Sequence, residues 1–169
     1  GGRPEGLRIL EDDLGKPRLG GECGQGRWRF NVSHSGGLWA CAVALNREVG
    51  LDLEEIRPGR AVESIMNRYF SPAEAAALAA LPGGEREAAF HRVWTRKEAW
   101  LKARGLGISI PLDSFEVSHG PGEARLLATR PDPGEAGRWT LRDLDLGPGY
   151  AAALCLEGTG PAEVRVRPA

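Results

Sequence analysis

The chain has 169 residues, of which 41% are apolar and 27% are charged, as is typical of a globular protein with one domain or two small half-domains. Lys and Arg number 22 against 23 Asp and Glu, for a formal net charge of −1. This balance argues against nucleic-acid binding and against general membrane-surface binding, which usually need a basic excess. The sequence has no apolar run of membrane-spanning length and no signal-peptide pattern, so we expect a soluble cytoplasmic protein.

The first third of the chain is predicted to be extended. The Gly-rich residues 1–29 are expected to form extended segments and turns. Strand patterns follow at 30–34 and 39–45, and Ser35-Gly36-Gly37 is a turn signal between them. After a short polar turn, residues 49–54 form the next predicted strand. This succession indicates a hairpin.

The middle of the chain is predicted to be helical. Residues 60–70 carry apolar side chains at helical spacing. Ser71-Pro72-Ala73-Glu74 has the pattern of a capping box with proline at the first helical position, so a second helix starts there and ends before residue 82. A longer helix is predicted from about Glu85 to Ala103, with Gly105 as its C-terminal stop.

The last third returns to strands. They are predicted at 125–128, 138–141 and 150–156, and the segment 108–117 is predicted to be a loop followed by a strand. Helices in the middle and antiparallel strands on both sides give an α+β class.

The three cysteines lie far apart in the sequence and form no C-x-x-C pair. Neither a zinc site nor a disulfide framework is therefore indicated for Cys23, Cys41 and Cys155. Since Cys41 and Cys155 lie in apolar runs, we predict that both are small core residues.

Asp52 and Glu54 are two residues apart on a predicted strand, so their side chains point to the same face. Two neighbouring carboxylates repel each other unless a cation or water separates them. Carboxylate oxygens suit Mg²⁺, which in proteins takes one or two carboxylates together with phosphate and water. The alternative is a solvated sheet face, since an isolated D-x-E pattern is common.

Glu98 and Lys102 are four residues apart on the long helix and share a face. By itself this spacing is typical of a surface ion pair. The chain has only three lysines, Lys16, Lys97 and Lys102, which makes each of them worth examining. Beside a third carboxylate, a lysine is a natural phosphate ligand, because it is a compact charge on a flexible stem.

Ser33 and His34 precede a turn and could bind phosphate oxygens. They could instead suggest a serine nucleophile activated by histidine. Adjacent residues on a strand point to opposite faces, however, and no G-x-S-x-G motif occurs, so serine hydrolysis is not favoured.

Five motifs in order resemble the 4′-phosphopantetheinyl transferases, of the two-half type that primes the carrier proteins of secondary-metabolite synthases. The resemblance covers roughly residues 15–156, and the segment 105–115 also matches the family. The five motifs are Gly15-Lys16-Pro17, Phe30 to Gly36, Val49 to Glu54, Phe70 to Glu74, and Trp94 to Lys102.

This resemblance implies a transferase fold with an antiparallel sheet packed against a long helix. It implies transfer of phosphopantetheine from coenzyme A to a serine of an apo acyl or peptidyl carrier protein, with release of 3′,5′-ADP. Asp52, Glu54 and Glu98 then match the ligands of Mg²⁺, with Mn²⁺ as an alternative, and Asp52, Glu98 and Lys102 are the catalytic candidates. Glu98 matches the base on the carrier serine, and Lys102 matches the pyrophosphate contact. Lys16, Ser33, His34 and Lys102 match the coenzyme A phosphate contacts.

In the two-half type, a half of similar fold precedes the Ser33-His34 region, whereas only about thirty residues precede it here. We therefore expect 1–48 to be a remnant of the N-terminal half, 49–158 to be the C-terminal catalytic half of a pseudo-twofold pair, and 159–169 to be a tail. The chain is then either a monomer or self-associated through the interface of the missing half, which would be a large apolar patch.

Several functions remain open at this point. The chain could be an active transferase or a weak or inactive module that binds coenzyme A. It could also be a Mg²⁺-dependent phosphohydrolase that uses the same three carboxylates, or an interaction domain in which the carboxylates are only solvated.

Overall fold

The computed structural model describes residues 6–21, 27–57, 62–130 and 132–168. The strands are β1 (Arg8–Glu11), β2 (Pro17–Gly20), β3 (Trp28–Ser35), β4 (Leu38–Leu45), β5 (Val49–Glu55), β6 (Phe115–Val117), β7 (Leu126–Thr129), β8 (Trp139–Asp143) and β9 (Tyr150–Glu157). The helices are α1 (Val62–Tyr69), α2 (Pro72–Ala79) and α3 (Gly83–Arg104). The α+β class predicted from the sequence is confirmed.

The strands form four antiparallel sheets among the described residues. The predicted hairpin is β3–β4, with Ser35 opposite Leu38 at its turn. The next strand, β5, does not extend this hairpin. It pairs with β9 instead, in the three-stranded order β5-β9-β8. The remaining pairs are β1–β2 and β6–β7.

Local features of the chain explain where α2 begins and where α3 ends. The Ser71 hydroxyl accepts from the Glu74 amide at 3.2 Å, and the Glu74 carboxylate accepts from the Ser71 amide at 3.0 Å, so the predicted capping box is confirmed. Gly105 ends α3 in the left-handed conformation, with φ of 67°.

No helix in the described segments has both the length and the apolar character to cross a membrane.

The main core lies between α3 and one face of the β5-β9-β8 sheet. The helix approaches closely at Gly50, where a Cβ atom would lie 2.1 Å from the Ala99 carbonyl oxygen and 2.2 Å from the Ala103 nitrogen. A smaller cluster on the opposite face packs under β4. The main core includes Phe90, Val93, Trp100, Leu141, Ala153 and Cys155, and the smaller cluster is formed by Val49, Leu51, Leu154 and Leu156.

The prediction that both apolar-run cysteines are buried is right for Cys155 and wrong for Cys41. Cys155 is buried in the main core, whereas Cys41 is exposed. β4 alternates, and its outward positions carry apolar side chains such as Trp39 and Val43, which are 69% and 62% exposed. An apolar run alone does not reveal which side of a strand faces the core. Cys23 lies outside the described residues.

Candidate active site

The centre of the candidate site is an ion pair between β5 and α3. The Lys102 ammonium donates to Asp52 Oδ1 at 2.6 Å and to the Ser33 hydroxyl at 3.2 Å. Asp52 is only 4% exposed, while the Lys102 side chain is 31% exposed. Asp52 is therefore not on a solvated sheet face, and the lysine joins two elements instead of forming only a surface pair along its own helix.

Glu98 and Glu54 complete a cluster of carboxylates around this pair. Burial raises the pKa of Asp52, although the Lys102 ammonium opposes this effect, and the Glu54 carboxylate adds to it. Burial also raises the pKa of Glu98, and the charges of Asp52 and Glu54 raise it further. The three predicted carboxylates thus lie within electrostatic range of one another.

The donor set has the chemistry expected of a site for a hard divalent cation. Asp52 Oδ2 is buried and has no hydrogen-bond partner among the residues that the structure describes, and such an atom is costly unless a cation or water satisfies it. In the parts of the chain that the structure describes, no three His, Cys, Asp or Glu side chains are already gathered at metal-binding distances. The residues fit Mg²⁺ or Mn²⁺ by their oxygen chemistry and charge, and Asp52, Glu54 and Glu98 would hold the ion.

Ser33 and His34 lie on opposite faces of β3. The Ser33 hydroxyl faces the ion pair, accepts from the Leu53 amide at 3.2 Å and lies 3.4 Å from Asp52 Oδ1. The His34 ring is exposed and stacks on Trp39, with 4.2 Å between ring centroids and 21° between planes. The two side chains therefore do not form a nucleophile–base pair, as the strand geometry predicts.

Lys16 lies at the C-terminal end of α3. Its ammonium donates to the Ala103 carbonyl at 2.7 Å and to Glu48 Oε2 at 2.9 Å, and its side chain is 6% exposed. A cation at this position compensates the free carbonyls and the negative dipole end of the helix. The phosphate contact predicted for Lys16 stays a prediction, and it would compete with these two bonds.

Two buried residues support the site in ways that we did not predict from the sequence. Lys97 is fully buried, forms an ion pair with Glu74 at 2.8 Å and donates to the Leu112 carbonyl at 2.8 Å. It thereby fastens the start of α2 to α3, although it neighbours Glu98 in the sequence. Gly50 allows β5 and α3 to approach. A glycine two residues before Asp52 within a strand was the available signal for such a close approach.

A cavity of about 1060 Å³ lies away from this cluster, between β4 and the residues after β9. Its walls are largely apolar, and none of the candidate catalytic residues lines it. The lining includes Ala42, Val43, Leu154, Leu156 and Val164.

Comparison with known proteins adds independent information to this geometry. A family model described as the 4′-phosphopantetheinyl transferase superfamily matches residues 48–155. The chain therefore belongs to the 4′-phosphopantetheinyl transferase superfamily. The matched segment begins just before β5 and ends within β9, so it contains Asp52, Glu54, Glu98 and Lys102.

Individual relatives agree with this assignment. The chain is 37% identical over 160 residues to the 4′-phosphopantetheinyl transferase HetI of Nostoc sp., covering 95% of this chain and 65% of HetI. It is 33% identical over 127 residues to the 4′-phosphopantetheinyl transferase Sfp of Bacillus subtilis, covering 75% of this chain and 54% of Sfp. The chain thus spans between half and two thirds of the length of these relatives.

The fold is also similar to that of a solved structure. Thermotoga maritima holo-acyl-carrier-protein synthase superposes with a TM-score of 0.52 at 22% sequence identity, covering 67% of this chain and 64% of that chain. At this identity the similarity concerns the fold alone.

Proposed function

We propose that this chain transfers the 4′-phosphopantetheine group from coenzyme A to a serine hydroxyl of an acyl or peptidyl carrier protein. The serine oxygen forms a new bond to the phosphorus that carries pantetheine. The bond from that phosphorus to the oxygen of 3′,5′-ADP breaks, and the serine proton leaves to a base. The observation that carries the proposal is the Asp52–Lys102–Ser33 contact between β5, α3 and β3, within a segment that matches the superfamily.

Glu98 is the proposed base. Burial and the neighbouring carboxylates raise its pKa, which brings its basicity closer to that needed at neutral pH. Glu98 lies one helical turn before Lys102 on the same face of α3, so base and cation would reach the same bound group.

Lys102 is the proposed cation for the pyrophosphate. Its ammonium is held by Asp52 and remains partly exposed. A pre-positioned positive charge stabilises the negative charge that grows on the leaving oxygen. The exposed His34 ring and the Ser33 hydroxyl are proposed to contact phosphate oxygens from the two faces of β3. The Ser33 hydroxyl and the Lys16 ammonium are weaker candidates than His34, because both are buried and already have hydrogen-bond partners.

Mg²⁺ or Mn²⁺ is the proposed cofactor, held by Asp52, Glu54 and Glu98. The ion would supply charge neutralisation for the pyrophosphate. The buried Asp52 Oδ2, which has no hydrogen-bond partner within the described part of the chain, supports this proposal. The proposed cytoplasmic location is consistent with a substrate such as coenzyme A.

The test is the intact mass of an apo carrier protein after incubation with this chain, coenzyme A and Mg²⁺. We expect a gain of one phosphopantetheine group, which EDTA abolishes and which Glu98→Gln reduces at least about 100-fold in rate. Glu163→Gln is the matched control, since Glu163 is exposed and lies in the tail, and it should leave the rate unchanged.

Other outcomes would contradict the proposal in distinguishable ways. Binding of coenzyme A without a mass gain would indicate a binding module that does not transfer. Cleavage of the coenzyme A pyrophosphate in the absence of a carrier protein would indicate a hydrolase. A mass gain that persists in Glu98→Gln would remove Glu98 from the role of base.

A further inference from the structure

β5 is an edge strand whose outer edge meets side chains of β3. Its other edge pairs with β9, so alternate amides of β5 point away from that partner. The amides of Leu51, Leu53 and Glu55 each donate to a β3 side chain. Their acceptors are Asn31 Oδ1 at 2.8 Å, Ser33 Oγ at 3.2 Å and Ser35 Oγ at 3.0 Å.

These three bonds define a side-chain ladder with a constant offset of 20 residues between donor and acceptor. The acceptors are two residues apart along β3, so they lie on the same face of that strand. β3 and β5 belong to different sheets. The ladder thus takes the place of a backbone pairing and decides how the hairpin sits against β5.

Two rungs of the ladder reach the candidate carboxylates. The Ser33 hydroxyl lies 3.4 Å from Asp52 Oδ1 and accepts from Lys102, and the Ser35 hydroxyl donates to Glu54 Oε2 at 3.3 Å. The side-chain carbonyl of Asn31 instead bonds the Leu51 amide, and Asn31 is 5% exposed. Asn31 lies two residues before Ser33 on β3, further from the turn between β3 and β4.

A slip of β3 by two residues would keep every side chain on its face, since the period of a strand is two. It would also place one serine where the other had been, so the two serine rungs do not by themselves distinguish the correct register. Asn31 is longer than serine and carries a planar amide, so its rung differs from the others. A slipped strand would bring the asparagine to the Leu53 amide and move the serine hydroxyl away from Asp52.

We propose that Asn31 is a positioning residue, whose bond to the Leu51 amide sets the register that places the Ser33 and Ser35 hydroxyls beside Asp52 and Glu54. The consequence for phosphopantetheine transfer rests on the function proposed above. The register itself does not depend on that function and can be measured separately.

The first measurement is amide hydrogen exchange, resolved by residue, in Asn31→Leu and in the wild type. Leucine has a similar size and removes the acceptor. We expect exchange at least about 10-fold faster at Leu51, Leu53 and Glu55 together, because the whole ladder loosens. Faster exchange at Leu51 alone would overturn the proposal. Asn31→Ala, which leaves room for water, gives the same test if the leucine variant does not fold.

The second measurement is the steady-state rate of carrier modification. For Asn31→Leu we expect kcat to fall about 10- to 100-fold, since misplacement by an ångström costs this much, with KM for coenzyme A changed less than about threefold.

The matched control is Thr129→Val, which removes a buried side-chain hydrogen bond on β7 to the Asp132 carbonyl, far along the chain from the ladder. If Asn31→Leu lowers kcat no more than Thr129→Val does at an equal loss of thermal stability, Asn31 has no positioning role in the reaction. An inactive wild type would contradict the proposed function, while the exchange measurement would still decide the register.

Discussion

Lys102 differs from the other two lysines in what surrounds its ammonium. Lys97 is fully buried against Glu74, and Lys16 is held at the end of α3 by Glu48 and a backbone carbonyl. Lys102 bonds Asp52 and keeps about a third of its side chain in solvent. A lysine that is fixed by a carboxylate but still accessible can meet an incoming anion without first breaking a structural contact.

Replacing Lys102 by Met should therefore affect both rate and stability. Among the described residues, it leaves the buried Asp52 carboxylate with the 3.4 Å contact to Ser33 alone. We therefore expect a loss of about 1–3 kcal/mol in the free energy of unfolding, less than for a fully buried pair because Lys102 is partly exposed. The transfer rate should fall about 100-fold or more. Urea denaturation and the carrier mass assay measure the two effects.

The double variant Asp52→Asn, Lys102→Met separates these effects. Removing both charges should recover most of the lost stability, because no unpaired carboxylate remains, while the rate stays low. A double variant as unstable as Lys102→Met alone would mean that the ion pair is not the source of the stability loss.

At the scale of elements, the site depends on how closely α3 lies on β5. Gly50 is the contact point, since the backbone atoms of Ala99 and Ala103 occupy the space where a side chain would begin. Asp52 lies two residues after Gly50 and therefore on the same face of β5, and Lys102 neighbours Ala103 on α3. Any separation of the two elements at Gly50 therefore also lengthens the Asp52–Lys102 contact.

Gly50→Ala should force the helix away from the strand. We expect a loss of about 3 kcal/mol in the free energy of unfolding, at the upper end for overpacking because the clash is with backbone, together with a fall in transfer rate. Gly84→Ala is the control: Gly84 lies in the first turn of α3, a Cβ atom added there would meet no heavy atom within 4 Å, and alanine should be neutral or slightly stabilising. Equal stability of the two variants would contradict the close-contact interpretation.

Elements and their ends were largely predictable from the sequence, because they depend on neighbouring residues. The capping box at Ser71 and the left-handed Gly105 are formed by bonds and dihedral angles within a few residues. The partner of β5 was not predictable in this way. The strand that follows β4 after a short turn looks like its hairpin partner, but its pairing is with β9, about 100 residues later.

At the scale of the whole molecule, the carboxylate cluster makes stability depend on pH. Burial raises the pKa of Asp52 and of Glu98 above their ordinary values of 3.8 and 4.5, so the folded state holds these protons more tightly than the unfolded chain does. The stability that the two protonated carboxyls contribute is fully present below their ordinary pKa values, and it is lost as the pH rises through the raised pKa values of the folded state. The cluster therefore works against folding at neutral pH while serving the proposed chemistry.

Glu98→Gln removes one of these charges and should make the protein more stable at pH 7–8. We expect a gain of about 1 kcal/mol, or roughly 2–4 °C in Tm for a chain of this size, and no gain at pH 4, where the wild-type carboxyl is protonated. Thermal denaturation of both proteins between pH 4 and pH 8, in the absence of divalent cations, measures this gain in Tm. A gain of equal size at pH 4, or an equal gain in the exposed-site variant Glu163→Gln, would mean that the buried charge of Glu98 is not the source of the effect.

The sequence by itself determined the face shared by Asp52 and Glu54, the face shared by Glu98 and Lys102, and most helix and strand positions. These follow from periods of two and 3.6 residues and from local capping bonds. Only the tertiary structure decided that Lys102 bonds Asp52, that Cys41 is exposed while Cys155 is buried, and that Lys16 and Lys97 fasten α3. Those outcomes depend on which face of each element is covered and on partners that are distant in the sequence, such as Lys16 and Ala103, which are 87 residues apart. Local periodicity carries no information about such partners.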